Sequence, residues 1–336
     1  MVVQNVISPY TLAFIVVTAF VTASYLFYIF RRKEALNIIP LLISIATVLL
    51  LYKLIGVTSS VNYYNFLALD ICLAMIATII AIFYISKPYI FITLIILFVI
   101  GILVYVSLSP MNNVFAGMFA IGTTYGMLYR EFVLNPKRSE AAISSDRKKR
   151  RTEINRDLVH LVLGIVLFAV LFFFSYVNAI TVIFGLIIIG YTGNNLLANL
   201  RLNPGYRRAV DLERKNVTYG LGATYLAAST ALVIGFTNAT SIVMFGLVVL
   251  FFADPLATIF GISARGAAHL PYNKYKTYVG TLTFFIVAAI AGYYFIGLYG
   301  ILFAAILAFV ESINLSLDDN IRSGIVIVIL SSLLGL

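Results

Sequence analysis

Runs of about 17 to 25 apolar residues recur about twelve times along this chain, each long enough as a helix to cross about 30 Å of hydrocarbon. Hydrocarbon offers no water to the backbone, so each run must close its own N–H and C=O groups as a helix. The expected fold is therefore all-α, a polytopic integral membrane protein with about 12 transmembrane helices. The runs fall near 10–30, 36–56, 63–85, 89–108, 113–134, 157–176, 178–200, 218–236, 239–262, 281–297, 298–315 and 321–336. With 62% hydrophobic and only 11% charged residues, an ordinary soluble domain is excluded. The first run follows the neutral MVVQNVISPY and precedes no small-residue cleavage pattern, so it reads as a retained helix rather than a signal peptide.

The net charge of +10 reports topology, not nucleic acid. With the N-terminus outside and each run reversing direction, 22 of the 23 Lys and Arg lie in or beside inner loops, as the positive-inside rule expects. Lys53 is the exception, and with Asp70 on the next run it is expected to form a structural ion pair. Three regions emerge: a five-span part over 1–134, a basic cytosolic linker over 135–156 and a seven-span part over 157–336. The linker cluster Arg147 to Arg151 suits anionic headgroups or a plain topology signal. The lone Cys72 cannot form an internal disulfide.

Residues suited to chemistry concentrate in the inner loops after the linker. Arg156, His160 and Gly164 stand at i, i+4 and i+8, one helical face entering the membrane. Asp254, Ala257 and Gly261 make a second face with a carboxylate followed by small residues, where a bulky ligand has room. Arg265, His269, Lys274, Lys276 and Thr277 come next, with Gly280 at the next span entry. Ammonium groups suit triphosphate oxygens, a hydroxyl suits a metal or phosphate, and glycine permits close backbone approach. Glu311, Asp318, Asp319 and Asn320 are hard oxygen donors on the same expected side, although one aspartate suffices to cap the last helix.

These patches resemble, in order, those of the CTP-dependent lipid-alcohol kinases, which include dolichol or polyprenol kinase, phytol kinase and the yeast-type diacylglycerol kinase. NRDLVHLVLG is similar to the family's Arg-Lys-x-x-His segment, and ERKNVTYGLGATYL to its glycine-containing span entry. ADPLATIFG with NKYKTYVGT resembles the Asp-x-x-Ala-x-x-x-Gly and Lys-Thr-x-Glu-Gly-Thr nucleotide motif, and ESINLSLDDN the final Glu and Asp-Asn element. The likeness covers about 151–320. Asp157 stands in place of a Lys, Ala253 in place of a Gly and Val279 in place of a Glu, so a metal role would pass to Glu311, Asp318 or Asp319.

The resemblance implies transfer of the γ-phosphate of CTP to a long isoprenoid alcohol at the cytosolic membrane face, with Mg2+. It implies catalytic roles for Asp254, His160 and Arg156. Nucleotide binding would fall to Lys274, Lys276, Thr277, Gly280, Gly261 and His269, and the metal to Asp254, Glu311, Asp318 and Asp319. The expected partners are a polyprenol, CTP and membrane lipids, with no nucleic acid and the oligomeric state open. Phytol, geranylgeraniol or diacylglycerol as acceptor, a CDP-lipid cytidylyltransferase and a lipid transporter are the alternatives. The cytidylyltransferase family's Pro-Gly-His-Gly-Gly ending is absent, and no internal repeat supports a transporter. A multi-pass cell-membrane location is expected, or endoplasmic reticulum in a eukaryote.

Overall fold

The computed structural model describes residues 38–55, 63–83, 112–129, 147–174, 221–237, 239–264, 266–313 and 317–335, with scattered positions between 12 and 27 and between 179 and 186. The expected spans 89–108 and 178–200, much of 10–30, the basic segment 201–215 and Arg265 lie outside the described residues, in whole or in most part. The chain divides into two compact units, Met1–Pro136 with Ile188–Leu200, and Lys137–Ile187 with Arg201–Leu336.

In the first unit, helices α1 (Ile39–Ile55), α2 (Tyr63–Phe83) and α3 (Asn112–Tyr129) pack on one another. Small residues let α2 and α3 approach: a Cβ on Gly122 would meet the Ala77 methyl at 2.9 Å. Polar side chains turn inward and pair, as hydrocarbon requires. The Ser44 and Thr78 hydroxyls lie 2.7 Å apart, and Thr78 also donates to the Ala74 carbonyl. Asp70 is fully buried and accepts a hydrogen bond from the Tyr52 hydroxyl of α1. The Lys53 side chain lies outside the described residues. Cys72 is a free, buried thiol.

The second unit contains α4 (Arg147–Phe173), α5 (Leu221–Phe236), α6 (Thr240–Val248) and α7 (Asp254–Ser263), a hairpin of β1 (His269–Leu270) and β2 (Asn273–Thr277), then α8 (Tyr278–Ile296), α9 (Leu298–Ser312) and α10 (Asp319–Leu333). Helix α4 corrects one boundary, since it starts at Arg147 rather than at 157. Hydropathy marks where a run becomes apolar, whereas Arg, Lys and Glu are good helix formers and carry the same helix out into the polar layer. The linker cluster Arg147 to Arg151 is thus helical. Among the described residues, the antiparallel hairpin, in a stretch that reads as loop, is the departure from an all-helical fold.

Helix α6, its five-residue π-helical continuation Val249–Ala253 and α7 form the central rod, with Phe245, Leu247, Val249 and Phe251 sharing the core with Phe284 of α8 and Phe303 and Leu307 of α9. By contrast, Leu158, Val162 and Ile165 of α4 and Leu282, Ile286 and Ile290 of α8 are exposed. Stripes of large apolar residues facing outward on long helices are what lipid contact asks for. Among the described residues, the helices long and apolar enough to cross a membrane are Glu153–Phe173, Thr240–Ser263 and Tyr278–Ile296, with shorter apolar helices at Ile39–Tyr52, Phe66–Ile79, Tyr225–Phe236 and Leu298–Ser312. The protein is a helical membrane protein.

Helices α8 and α9 turn on one residue, Gly297, at φ 74° and ψ −145°, a region open essentially to glycine. The turn is so tight that Gly292 and Gly300 face each other backbone to backbone, and a Cβ on either would strike the other's main chain. Gly300→Val is therefore expected to cost at least about 3 kcal/mol, read as a lowered midpoint of detergent-induced unfolding. An unchanged midpoint would show that the two helices do not meet as described.

Candidate active site

Pro255 explains the geometry around Asp254. Proline has no N–H, and its ring collides with the carbonyl four residues back, here Phe251. The rod answers by widening into a π turn, in which the Asp254 N–H reaches the Val249 carbonyl, and α7 then restarts with Pro255 in its first turn. Such turns frequently mark functional positions. Here the turn presents Asp254 toward β2, α9 and α10.

Three carboxylates converge there. One oxygen each of Asp254, Glu311 and Asp319 lies within 4.8 Å of the others. The Lys276 ammonium donates to Glu311 and, at 2.9 Å, to Asp319. Side-chain exposure is 3% for Glu311, 24% for Lys276 and 34% for Asp319, so the cluster opens on the Asp319 side. Lys276 is delivered by the hairpin, whose register pairs His269 with Thr277 and Leu270 with Asn273. Buried Asn273 fastens it, donating to the Ser312 carbonyl at 2.9 Å and accepting from the Tyr275 N–H, while the Tyr272 and Ser312 hydroxyls lie 2.9 Å apart. The strand is thus tied to the end of the helix that carries Glu311.

Arg322 fixes the far wall. It donates to Asp319 and to the Val310 and Ile313 carbonyls, both at 2.8 Å, at the end of α9 that has no intrahelical donors left. On the other side, Arg156 of α4 donates to buried Asp157 through Nε at 3.2 Å and Nη2 at 3.1 Å, and both residues lie within electrostatic reach of Asp254. Four carboxylates and three cations from five segments share the site. Burial pushes the Lys276 ammonium toward neutrality, but Asp319, Glu311 and Asp254 outweigh it and raise its pKa above the ordinary 10.5. Burial likewise favours neutral Asp319, and Lys276 and Arg322 outweigh it, holding the carboxyl at about 2.

Of the residues singled out from sequence, Asp254, Lys276, Glu311 and Asp319 come together, with Arg156 beside them. Half-buried His160 lies on α4 near the Arg156 charge. Lys274 and His269 are exposed on the hairpin. Asp318 is apart from the carboxylate group: it caps α10, accepting from the Asn320 N–H at 3.1 Å. The glycines are used in packing. A Cβ on Gly261 would meet Thr277 Oγ1 at 2.9 Å, and one on Gly280 the Ala257 carbonyl at 3.0 Å. The face expected to receive a bulky ligand therefore holds α8, and the Thr277 hydroxyl caps that helix by accepting from the Gly280 N–H. Gly164 similarly seats Phe251 and Phe252 of the π turn. Sequence reasoning missed Arg322, Asn273 and the Asp157 partnership. Only Arg322 left a signal, since Asp319 three residues earlier is the spacing of a helical ion pair.

No family model matches the chain. No solved structure matches it either. Over 172 residues, however, it is 34% identical to an uncharacterized protein of Methanocaldococcus jannaschii, a match covering 50% of this chain and 87% of that one. The chain belongs to that protein's family.

The donors present fit a hard divalent cation. All three are carboxylate oxygens, and Glu311 Oε2 is buried with no hydrogen-bond partner among the described residues. Replacing Lys276 by Met is expected to cost about 3 kcal/mol, because it leaves the buried Glu311 carboxylate without its cation. The sign with pH follows from the two shifts. The Asp319 contribution is complete above its ordinary 3.8 and is lost as pH falls toward 2, while that of Lys276 is complete below its ordinary 10.5 and is lost only at higher pH. The contribution of the Lys276–Asp319 pair to the wild-type midpoint should accordingly hold level from about pH 5 to 9 and fall below pH 4. The Lys276→Met protein should instead gain stability on acidification from about pH 8 to 5, and a parallel profile in the two proteins would remove Lys276 from the network.

Proposed function

We propose that this protein is a CTP-dependent polyprenol or dolichol kinase, moving the γ-phosphate of CTP to a long-chain isoprenoid alcohol at the cytosolic membrane face. One observation carries the reading: patches that resemble the lipid-alcohol kinases are separated by more than 150 residues in sequence yet meet, Asp254 and Lys276 from the nucleotide motif clustering with Glu311 and Asp319 from the last patch, and Arg156 from the first lying within electrostatic reach of Asp254. In this reading the chain crosses the membrane about twelve times with its N-terminus outside, which sets the site on the side rich in Lys and Arg.

In the reaction the acceptor hydroxyl oxygen bonds to the γ-phosphorus as the bond to the β,γ-bridging oxygen breaks, giving the lipid monophosphate and CDP. The hydroxyl proton passes to Asp254 or His160. Lys276 and Arg156 neutralise charge on the phosphates, and Arg322 holds Asp319 in place. Asp254, Glu311 and Asp319 would hold Mg2+, which when bound neutralises phosphate charge. Positioning and charge stabilisation are the chief demands of phosphoryl transfer. Glu311, buried beside Lys276, supplies the carboxylate that Val279 does not.

The test is purified protein in detergent with Mg2+, γ-labelled CTP or ATP, and a panel of polyprenols, geranylgeraniol, phytol and diacylglycerol. Label in a lipid monophosphate with release of CDP is the expected result, and Asp254→Asn and Glu311→Gln should each lower it at least about a hundredfold. Pyrophosphate with a CDP-lipid would instead identify a cytidylyltransferase. No label with any lipid from folded protein would remove the kinase.

A further inference from the structure

Helix α8 carries a ruler for membrane depth. It begins at Tyr278 and has Tyr293 and Tyr294 near its far end, with Tyr299 just across the turn. Tyr278 and Tyr294 are 53% and 80% exposed, and sixteen residues of helix put them about 24 Å apart. Exposed tyrosines at both ends of a spanning helix sit at the two membrane–water interfaces, where the ring is apolar and the hydroxyl wet. Tyr278 therefore marks one interface.

The hairpin lies near that plane, because it runs into Tyr278 and its Tyr272, Asn273 and Lys276 side chains reach Ser312 and Glu311 at the end of α9. Tyr272 at its turn is 57% exposed and Phe260 at the adjoining end of α7 is 52% exposed, while Lys274 is exposed on the same hairpin. The site itself lies deeper. Since Gly292 and Gly300 face each other and α9 runs back along α8, Glu311 stands eleven residues past the contact against fourteen for Tyr278, about 4.5 Å inward of the tyrosine.

We propose that the β1–β2 hairpin is a membrane-surface element embedded in the lipid headgroup layer, with Tyr272, Tyr278 and Phe260 as its interfacial anchors and Lys274 against the phosphate of anionic headgroups. Its partner is a bilayer containing anionic phospholipid. Asn273 and Tyr272 tie the hairpin to Ser312, so the element that meets the headgroups is the one that carries Lys276 to the carboxylates. If the phosphotransfer reading holds, the acceptor hydroxyl comes to the site from just beneath the headgroups.

The chain contains no tryptophan, so one introduced ring reports its own depth. Tyr272→Trp in the full-length protein is reconstituted in phosphatidylcholine vesicles with and without phosphatidylglycerol, and its emission is quenched by lipids brominated near the headgroup, by lipids brominated deep in the chain and by aqueous iodide. Quenching about twofold stronger by the shallow than by the deep bromines, with iodide well below its effect on free tryptophan, is expected. Full iodide quenching without bromine quenching, or strongest quenching by the deep bromines, overturns the proposal. Tyr278→Trp carries the same test should loss of the Ser312 contact unfold the first variant. Phosphatidylglycerol should shift the emission to the blue, and Lys274→Gln should abolish that shift; an unchanged shift overturns the role of Lys274. The readout needs no turnover, so inactive protein with headgroup-depth quenching would sink the kinase and keep the interface, and active protein with aqueous quenching would do the reverse.

Discussion

The Lys276 ammonium is the interaction on which the second unit depends. Carboxylates from α9 and α10 meet at it, and a third from the central rod lies within Coulombic reach. In a protein with so little charge, gathering Asp254, Glu311 and Asp319 without a cation would oppose the packing of the helices that bear them. Breaking the hairpin's hold on Ser312 would loosen the same ammonium, so backbone tether and ion pair act as one device. Arg322 has a separate role. Its bonds to two carbonyls at the end of α9 hold the guanidinium in place, so that Asp319 is bound to a cation that cannot wander.

The rod shows how a single imino acid positions chemistry in a membrane. A spanning helix must satisfy its backbone internally, so a proline in its length would ordinarily leave a carbonyl exposed to hydrocarbon. Widening the preceding turn accommodates Pro255 and rotates the helix beyond it. Close packing of small residues then sets distances: Gly261 against Thr277 and Gly280, and Gly246 against Val233, leave little room for the helices to slide.

Apolar run length, a property every residue contributes to, made the helical membrane class legible, and the order of the polar patches pointed to Asp254, Lys276, Glu311 and Asp319 before any geometry. Other features were hidden because they are relations between distant segments. Nothing local in NKYKT distinguishes a loop from a strand held by Asn273 to Ser312, and two adjacent aspartates look alike until helix α10 starts between them and makes Asp318 a cap and Asp319 a partner of Lys276. Glycine misled in the same way, since a residue that permits close approach does not say what approaches. Gly261 and Gly280 approach each other's helices.

The hairpin of α8 and α9 has a consequence for the surrounding bilayer. Helix α8 has 19 residues, but α9 has only 15 and spans about 22 Å, against about 30 Å of average hydrocarbon. The backbone contact of Gly292 with Gly300 prevents α9 from moving independently to accommodate the difference. A spanning helix this short is accommodated by thinning of the lipid beside it, by snorkelling of its flanking side chains or by oligomerisation. In a bilayer spanned by α9, such thinning would fall beside Glu311 and Ser312 at the end of the helix and bring the polar boundary toward the carboxylates.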